Sequence, residues 1–245
     1  MKKTLLLAGL SVMALNAHAD FVGIYAGAGI WKPDVDGNFG VVQNITTAEL
    51  GLEGDDANFY YVALEHPVPV LPNIRISQTD LKAGGIATLG DDFTFENQTF
   101  TNGNELTTLI DLSHTDYTLY YEVLDNVASI DIGATFRDFS GQASIESAAV
   151  AEALDLAETV PMLYGRVQID LPLSGLYVGG TMKYVGIDGN DLQDIEARLG
   201  YMTSTIPSLG IELGYRKTSL QIEDIEDLET DLTFDGSYAA VVFHF

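Results

Sequence analysis

The sequence predicts an all-β protein in which about ten antiparallel strands close into one barrel. Apolar and polar side chains alternate with a period of two through much of the 245-residue chain, which is typical of strands rather than helices. Gly, Pro, Asn and Asp separate the alternating segments, as turns require. No segment has the roughly 18 uninterrupted apolar residues of a membrane-spanning helix, and no linker divides the chain into two domains.

The N-terminal segment has the features of a secretory signal peptide. Two lysines precede an apolar stretch over residues 5–15, and residues 17–19 read Ala-His-Ala, the small-x-small pattern that a signal peptidase cuts. We therefore expect cleavage after Ala19. Residues 1–19 would be removed, and residues 20–245 would form the barrel.

Ten segments fit the strand pattern, and an even number returns both termini to the same side, as barrel closure requires. The predicted strands are 21–32, 58–66, 74–84, 107–124, 127–140, 161–171, 175–187, 191–205, 210–222 and 230–245. Short turns alternate with longer connections, of which 33–57, 85–106 and 141–160 are the longest. Polar Gln78, Asp80 and Lys82 predict a bulge or an early exit of the third strand from the barrel.

Each predicted strand has one apolar face and one charged face. In the fifth strand, Ile130 and Ile132 share one parity, while Asp131 and Arg137 share the other. Alternation alone does not decide which face points outward. A soluble barrel would bury the apolar face, and a membrane barrel would expose it to lipid.

The last strand favours the membrane alternative. Phe243 and the terminal Phe245 share one parity, and this end resembles the closing strand of bacterial outer-membrane β-barrels, whose terminal Phe the barrel-assembly machinery reads. The resemblance implies an outer-membrane location. A basic residue costs roughly 2–4 kcal/mol at the bilayer midplane, so the charged faces should line the lumen. The predicted lumenal charge network is Arg75, Glu122, Asp131, Arg137, Arg166, Asp170, Lys183, Glu196, Arg198, Glu212 and Arg216.

Aromatic residues on the lipid parity would suit girdles at the membrane interfaces, and we expect Trp31 near the first loop to join them. Ordinary strand propensity is the alternative explanation. The other residues of this set are Tyr60, Tyr117, Tyr121, Phe136, Tyr184, Tyr201 and Tyr215.

Beyond the barrel class, the chain resembles a family of proteobacterial outer-membrane proteins marked by a Gly-Gly pair. The pair is here Gly84-Gly85, at the end of the third predicted strand. Small porins of the OmpW type are a more distant comparison. The resemblance covers the whole chain and implies no catalytic residues.

The predicted long loops are acidic. They contain many carboxylates and neither Lys nor Arg, and the whole sequence has a net charge of −25. Such a chain repels nucleic acid and attracts cations. We expect its partners to be outer-membrane lipid and lipopolysaccharide, with divalent cations as bridges, and the barrel-assembly machinery. Cysteine is absent, which excludes disulfides and thiol chemistry.

Two loop segments support more specific hypotheses. Asp34, Asp36 and Asn38 resemble the opening of an oxygen-ligand calcium loop, although Phe39 stands where the EF-hand has Gly. A plain turn is the alternative. Residues 146–159 place alanines and a leucine at helical spacing with acids opposite, which predicts a short helix at the extracellular end of the barrel.

One His-acid pair invites a catalytic hypothesis. His114 and Asp116 share a face near the outer end of the fourth strand, while Ser113 lies on the opposite parity. A catalytic base needs a nucleophile or a positioned water and an orienting group. The sequence offers none, and we expect no enzymatic activity and no cofactor.

The leading hypothesis is an integral outer-membrane barrel that is either structural or a narrow, cation-preferring channel for small solutes. The alternative is a surface-binding or adhesion module that acts through the acidic extracellular loops. A hydrolase at the barrel rim is the third.

Overall fold

The computed structural model describes residues 22–40, 45–95, 98–187, 189–225 and 228–245. The predicted signal peptide and its cleavage site lie outside these residues. Among the described residues, no helix has the length and apolar character that a membrane crossing would need.

Within the described chain, ten antiparallel strands close into one barrel, as predicted. Strands are numbered in chain order over the whole molecule, and those of the barrel are β1 Gly23–Gly40, β4 Ala57–Glu65, β5 Asn73–Thr79, β10 His114–Asp125, β11 Ala128–Phe139, β14 Thr159–Asp170, β15 Leu176–Ile187, β16 Asn190–Met202, β17 Ser208–Ile225 and β18 Leu228–His244. Each strand pairs with the next, and β18 pairs with β1. Closure leaves no unpaired barrel edge in the bilayer.

The barrel is apolar outside and charged inside. Ile132 on β11 is 57% exposed, whereas Arg137 on the same strand is 0% exposed. The same division recurs around the barrel, with Ile76, Leu119, Val167 and Leu213 on the outer surface. A soluble barrel would bury this apolar face, so the surface is that of a transmembrane barrel.

A second folded unit, the head, stands on the end of the barrel that carries the long connections, which is the extracellular end in barrels of this class. Its own strands are β2 Ile45–Thr46, β3 Leu52–Gly54, β6 Lys82–Thr88, β7 Phe93–Phe95, β8 Gln98–Phe100, β9 Glu105–Asp111, β12 Gln142–Glu146 and β13 Ala151–Asp155. They form a five-stranded sheet in the order β13-β12-β9-β6-β3 and a hairpin of β7 and β8, while β2 pairs with β1. The outer parts of β1, β17 and β18 complete the head. The chain leaves the barrel after Thr79, close to the predicted early exit, and continues into the head.

The helix predicted over residues 146–159 is wrong. Residues 142–155 form an antiparallel hairpin of β12 and β13, in which Ile145 pairs with Glu152. Val150, Leu154 and Leu156 pack against the apolar core of the head. These three residues share strand parity, so their burial outweighs the helix propensity of the intervening alanines.

An apolar core fills the head. It brings Phe39 and Phe234 from the extended barrel strands together with Ile110 and Ile145 from the five-stranded sheet. Three phenylalanines of the β7–β8 hairpin, Phe93, Phe95 and Phe100, insert into the same core. The cluster is continuous with Trp31 inside the barrel, so the core of the head covers the extracellular end of the lumen.

Candidate functional site

Five charged side chains cross the lumen near its extracellular end, and we call them the upper network: Asp116, Arg137, Lys183, Asp194 and Arg216. Arg137 donates to Asp116 through Nε at 2.7 Å and Nη2 at 2.8 Å, and to Asp194 through Nη2 at 2.5 Å. Lys183 donates to Asp116 at 2.6 Å. Arg216 donates to Asp194 at 2.7 and 3.0 Å. The network joins five strands, β10, β11, β15, β16 and β17, across the lumen.

Strand register brings the upper network together. Asp116 and Arg137 are direct cross-strand partners, and so are Lys183 and Asp194. All five residues have inward parity. Buried side chains stay charged when they are paired and hydrogen-bonded. Here two carboxylates accept hydrogen bonds from three basic side chains.

Trp31 belongs to this site and not to an interfacial girdle, so its predicted position is wrong. The indole is 0% exposed, and Nε1 donates to the carbonyl oxygen of Gly236 at 3.2 Å. The guanidinium carbon of Arg216 lies 4.8 Å from the indole ring centroid, a cation–π distance. Parity on β1 places Trp31 inside, and its buried N–H finds a partner there.

His114 lies beneath the head and does not form an accessible catalytic pair with Asp116. Its imidazole is 2% exposed, and Nδ1 lies 2.8 Å from the carbonyl oxygen of Leu112. Ligand atoms of His114, Asp116 and Asp194 come within 4.8 Å of one another. Arg137 and other bases already neutralise both carboxylates, which disfavours a metal cation at this position.

A middle cluster of Arg75, Arg166, Glu196, Arg198 and Glu212 lies below the upper network. Arg198 Nη1 donates to Glu196 at 2.8 Å, and its Nε lies 3.7 Å from Glu212. Arg166 is 3.6 Å from Asp131, whose side chain is buried. The guanidinium of Arg75 stacks over the ring of Tyr61 at 3.5 Å.

Acidic side chains lie at the periplasmic end of the lumen, which we call the vestibule. Tyr120 donates to Glu65 at 2.8 Å, and Asn73 donates to Glu122 at 3.4 Å. Glu122 is exposed in this vestibule. Asp170 is exposed at the periplasmic end of β14 and connects to the lumenal charges through Gln168, which donates to Asp170 at 3.1 Å and accepts from Arg166 Nη2 at 2.8 Å.

Tyrosine rings from neighbouring strands fill the space beside several lumenal glycines. A Cβ added at Gly27 would lie 2.5 Å from the ring of Tyr61. At Gly200 and Gly214 it would lie 2.1 and 2.4 Å from the rings of Tyr177 and Tyr238. Two of these tyrosines anchor carboxylates, since Tyr177 donates to Glu212 and Tyr238 donates to Glu196. Glycine positions in this lumen therefore accommodate side chains of neighbouring strands.

The acidic side chains of the head lie on its outer surface. Asp34, Asp36 and Asn38 are exposed on β1, where they alternate with the buried Val35 and Phe39. They project in a row from an extended strand and do not converge as calcium-loop ligands would. Further exposed carboxylates of the head are Glu49, Glu53, Asp55, Asp56, Asp91, Asp92, Glu105, Glu146, Asp155 and Glu158.

One ion pair fixes β6 to β9 inside the head. Lys82 Nζ lies 2.9 Å from Asp111, its cross-strand partner. Burial opposes ionisation of Asp111, but hydrogen bonds from Ser113 and Lys82 outweigh it and lower the pKa of the carboxyl group. The hydrogen bond to Asp111, and then its charge, raises the pKa of Lys82.

The C-terminal residues lie at the barrel seam. The N–H of Phe245 donates to the carbonyl of Ile24 at 2.9 Å, and the N–H of Ile24 donates back at 2.8 Å. The side chain of Phe245 is exposed, and Phe243 is half-buried on the same parity. Both residues take part in closing β18 onto β1.

Sequence reasoning missed two contributors to the site. Asp194 accepts hydrogen bonds from Arg137 and Arg216, yet the predicted network omits it. Its parity with Glu196 and Arg198 on β16 was the signal that could have found it. Trp31 was missed because a single Trp at the edge of a predicted loop is compatible with either an interfacial or a lumenal position.

No protein-family model and no curated protein matches the sequence. The structure of the outer membrane protease OmpT from Escherichia coli is similar, with a TM-score of 0.52 and 11% identity, over 94% of this chain and 99% of that chain. A FadL homologue from Pseudomonas aeruginosa matches with a TM-score of 0.39 and 8% identity, over 92% of this chain and 90% of that chain. The similarity to OmpT shows that the chain has the fold of a bacterial outer-membrane β-barrel.

The comparison with OmpT corrects the expectation that the chain is not an enzyme. A protease has this fold over nearly the same length, so the lack of a recognisable nucleophile beside His114 was no ground for that expectation. At 11% identity the similarity shows the fold alone, and it assigns no activity.

Proposed function

We propose that the protein anchors a folded acidic head in the outer membrane, and that the head binds cationic partners at the cell surface. The observation that carries this proposal is the head itself. Its long connections form sheets around an apolar core, and carboxylates cover the outside. An outer surface on which carboxylates outnumber the exposed lysines favours the encounter and binding of positively charged groups.

The lumen supports this proposal because its extracellular end is filled. Thr118, Thr135 and Arg137 are each 0% exposed at the level of the upper network. The apolar core of the head lies above them. A barrel closed in this way suits an anchor better than a passive pore.

Our proposal also includes the signal peptide, the assembly role of Phe245, the bridging cations and the Gly-Gly family. The precursor would lose residues 1–19, and Phe245 would guide the assembly machinery. Divalent cations would bridge the head to lipopolysaccharide, whose surface is also anionic. Membership of the Gly-Gly family would add no catalytic group.

The test measures binding of a fluorescent oligolysine peptide to the protein in zwitterionic liposomes. Neutralising Asp34 and Asp36 to Asn should weaken binding a few-fold, and the effect should fade as salt rises and screens the charges. The matched control neutralises Asp125 and Asp170, which are exposed near the periplasmic side. The proposal would be overturned if both double variants weakened binding equally, or if neither weakened it.

A cation-preferring channel is the second candidate, and the acidic vestibule favours it. Glu65 and Glu122 would attract cations at one end of the lumen, as the head would at the other. Conduction would require the upper network and the head to move aside.

A further inference from the structure

The lumen contains a cavity of about 40 Å³ between the upper network and the middle cluster. Five basic side chains line it: Arg75, Arg166, Lys183, Arg198 and Arg216. Only two acidic side chains of the described chain, Glu196 and Glu212, line it with them. Basic groups therefore dominate the wall of this cavity.

The excess of positive charge remains when neighbouring ion pairs are counted. Lys183 and Arg216 share Asp116 and Asp194 with Arg137, so three bases use two acids. Arg198 has Glu196 and Glu212, and Arg166 has Asp131 at 3.6 Å. Arg75 has no carboxylate within ion-pair distance among residues 22–40, 45–95, 98–187, 189–225 and 228–245. Within ion-pair distance, six basic groups thus face five acidic groups, and Glu65 acts on Arg166 only at longer range from the vestibule.

Several guanidinium donors on this wall lack protein acceptors. Nε and Nη2 of Arg198 and Nε of Arg166 are buried without a hydrogen-bond partner in the described chain. The side chain of Arg198 is 6% exposed. Buried donors on charged groups are costly to leave unpaired, which favours a bound acceptor between them.

We propose that this cavity binds one small monovalent anion of halide size, held by Arg75, Arg166 and Arg198. One negative charge balances the excess base and supplies an acceptor for the free guanidinium donors. A single water needs roughly 10–15 Å³ of such space, so the cavity admits a chloride ion with a water or two. An organic anion the size of gluconate is too large for it. The bound ion links β5, β14 and β16 from inside the barrel.

The first test compares chloride with gluconate at equal ionic strength. The protein is refolded from urea into detergent micelles in each sodium salt, and its urea unfolding midpoint is measured. Chloride should raise the midpoint relative to gluconate, and the gain should follow single-site binding as chloride replaces gluconate. Identical midpoints in the two salts would overturn the proposal.

Arg75→Gln should remove the chloride response. Arg75 pairs with no carboxylate in the described chain, so its loss leaves no acid unpaired and the barrel should still fold. Lys217→Gln, which changes an exposed base on the outer face of β17, is the matched control and should keep the full response. A response that persists in Arg75→Gln would contradict the assignment.

Crystals grown in sodium bromide give a readout that does not depend on stability. Anomalous scattering should place bromide between Arg75 and Arg198. Ordered water alone at that position would overturn the proposal, whatever the salt dependence of unfolding.

Discussion

Arg137 is fully buried, and every hydrogen bond that it donates in the described chain goes to a carboxylate. A charge removed from water in this way is tolerated because its partners are fixed by strand register. Removing one member leaves the others buried and unpaired, which is more costly than the pair itself is stabilising. We therefore expect the upper network to be sensitive to the loss of any one member.

Arg137→Met should lower the free energy of unfolding by about 3–5 kcal/mol. Urea unfolding in detergent micelles measures this change. The control is Lys32→Gln, which breaks an exposed ion pair with Asp56 and should change stability by about 0–1 kcal/mol. Similar effects of the two substitutions would mean that the network contributes little.

The lowered pKa of Asp111 predicts that the head becomes less stable at acid pH. The folded pKa of its carboxyl group lies below the unfolded value, so its contribution is present at neutral pH and is lost as pH falls through the folded pKa. Wild type should therefore lose its stability advantage over Asp111→Asn below about pH 4, near the unfolded pKa of an aspartate. Unfolding curves of both proteins from pH 6 to acid test this. A constant difference across that range would show that the Lys82 pair is not the cause.

At the scale of single elements, the pair Gly84-Gly85 has two different roles on β6. A Cβ at Gly85 would lie 2.3 Å from the backbone oxygen of Gly51, whereas a Cβ at Gly84 would meet its nearest atom, the oxygen of Thr108, at 3.8 Å. Gly85 therefore permits the close approach of the turn that precedes β3.

Gly85→Ala should destabilise the head by about 1–3 kcal/mol, as overpacking does. Gly84→Ala is the matched control and should be nearly neutral. Protease cleavage of the head, measured while the barrel stays folded, separates the two variants. Equal cleavage of both would refute the close-contact explanation.

The barrel elements could be predicted because bilayer and lumen impose opposite requirements on alternate residues. Ile132 and Arg137 illustrate this, since each occupies the face that its parity requires. The ten-strand count agrees with the structure. The third and fourth predicted strands, 74–84 and 107–124, are each divided, because their outer parts belong to β6 and β9 of the head. Strand ends were less accurate, and β1 extends to Gly40 because its outer part packs in the head.

The head could not be predicted because its sheets form between segments far apart in sequence. Short strands such as Leu52–Gly54 carry too few residues to show a period of two. Residues 146–159 were misread because alanine spacing fits a helix locally, while Leu154 and Leu156 are buried only by tertiary contacts. The partners of Asp194 could not be predicted, because they depend on which strands face each other across the lumen.

At the scale of the whole molecule, barrel closure depends on the last residues of the chain. Deleting Phe245 removes its backbone pair with Ile24 and the aromatic end expected to be read during assembly. Heat-modifiable protein in the outer membrane should fall strongly, while Val22→Ala, which trims an exposed side chain at the same end of the seam and leaves the backbone pair of Phe245 intact, should have little effect. Normal levels after the deletion would contradict the assembly role.

The lumen and the head together determine whether the barrel conducts. Planar-bilayer recording of the refolded protein tests this most directly, with heat-modifiability of the same sample as the check that barrels have formed. The upper network and the apolar core above it predict no steady ion current through the native protein. A steady, cation-selective current would contradict a closed lumen and would make the channel, not the anchored head, the function of this barrel.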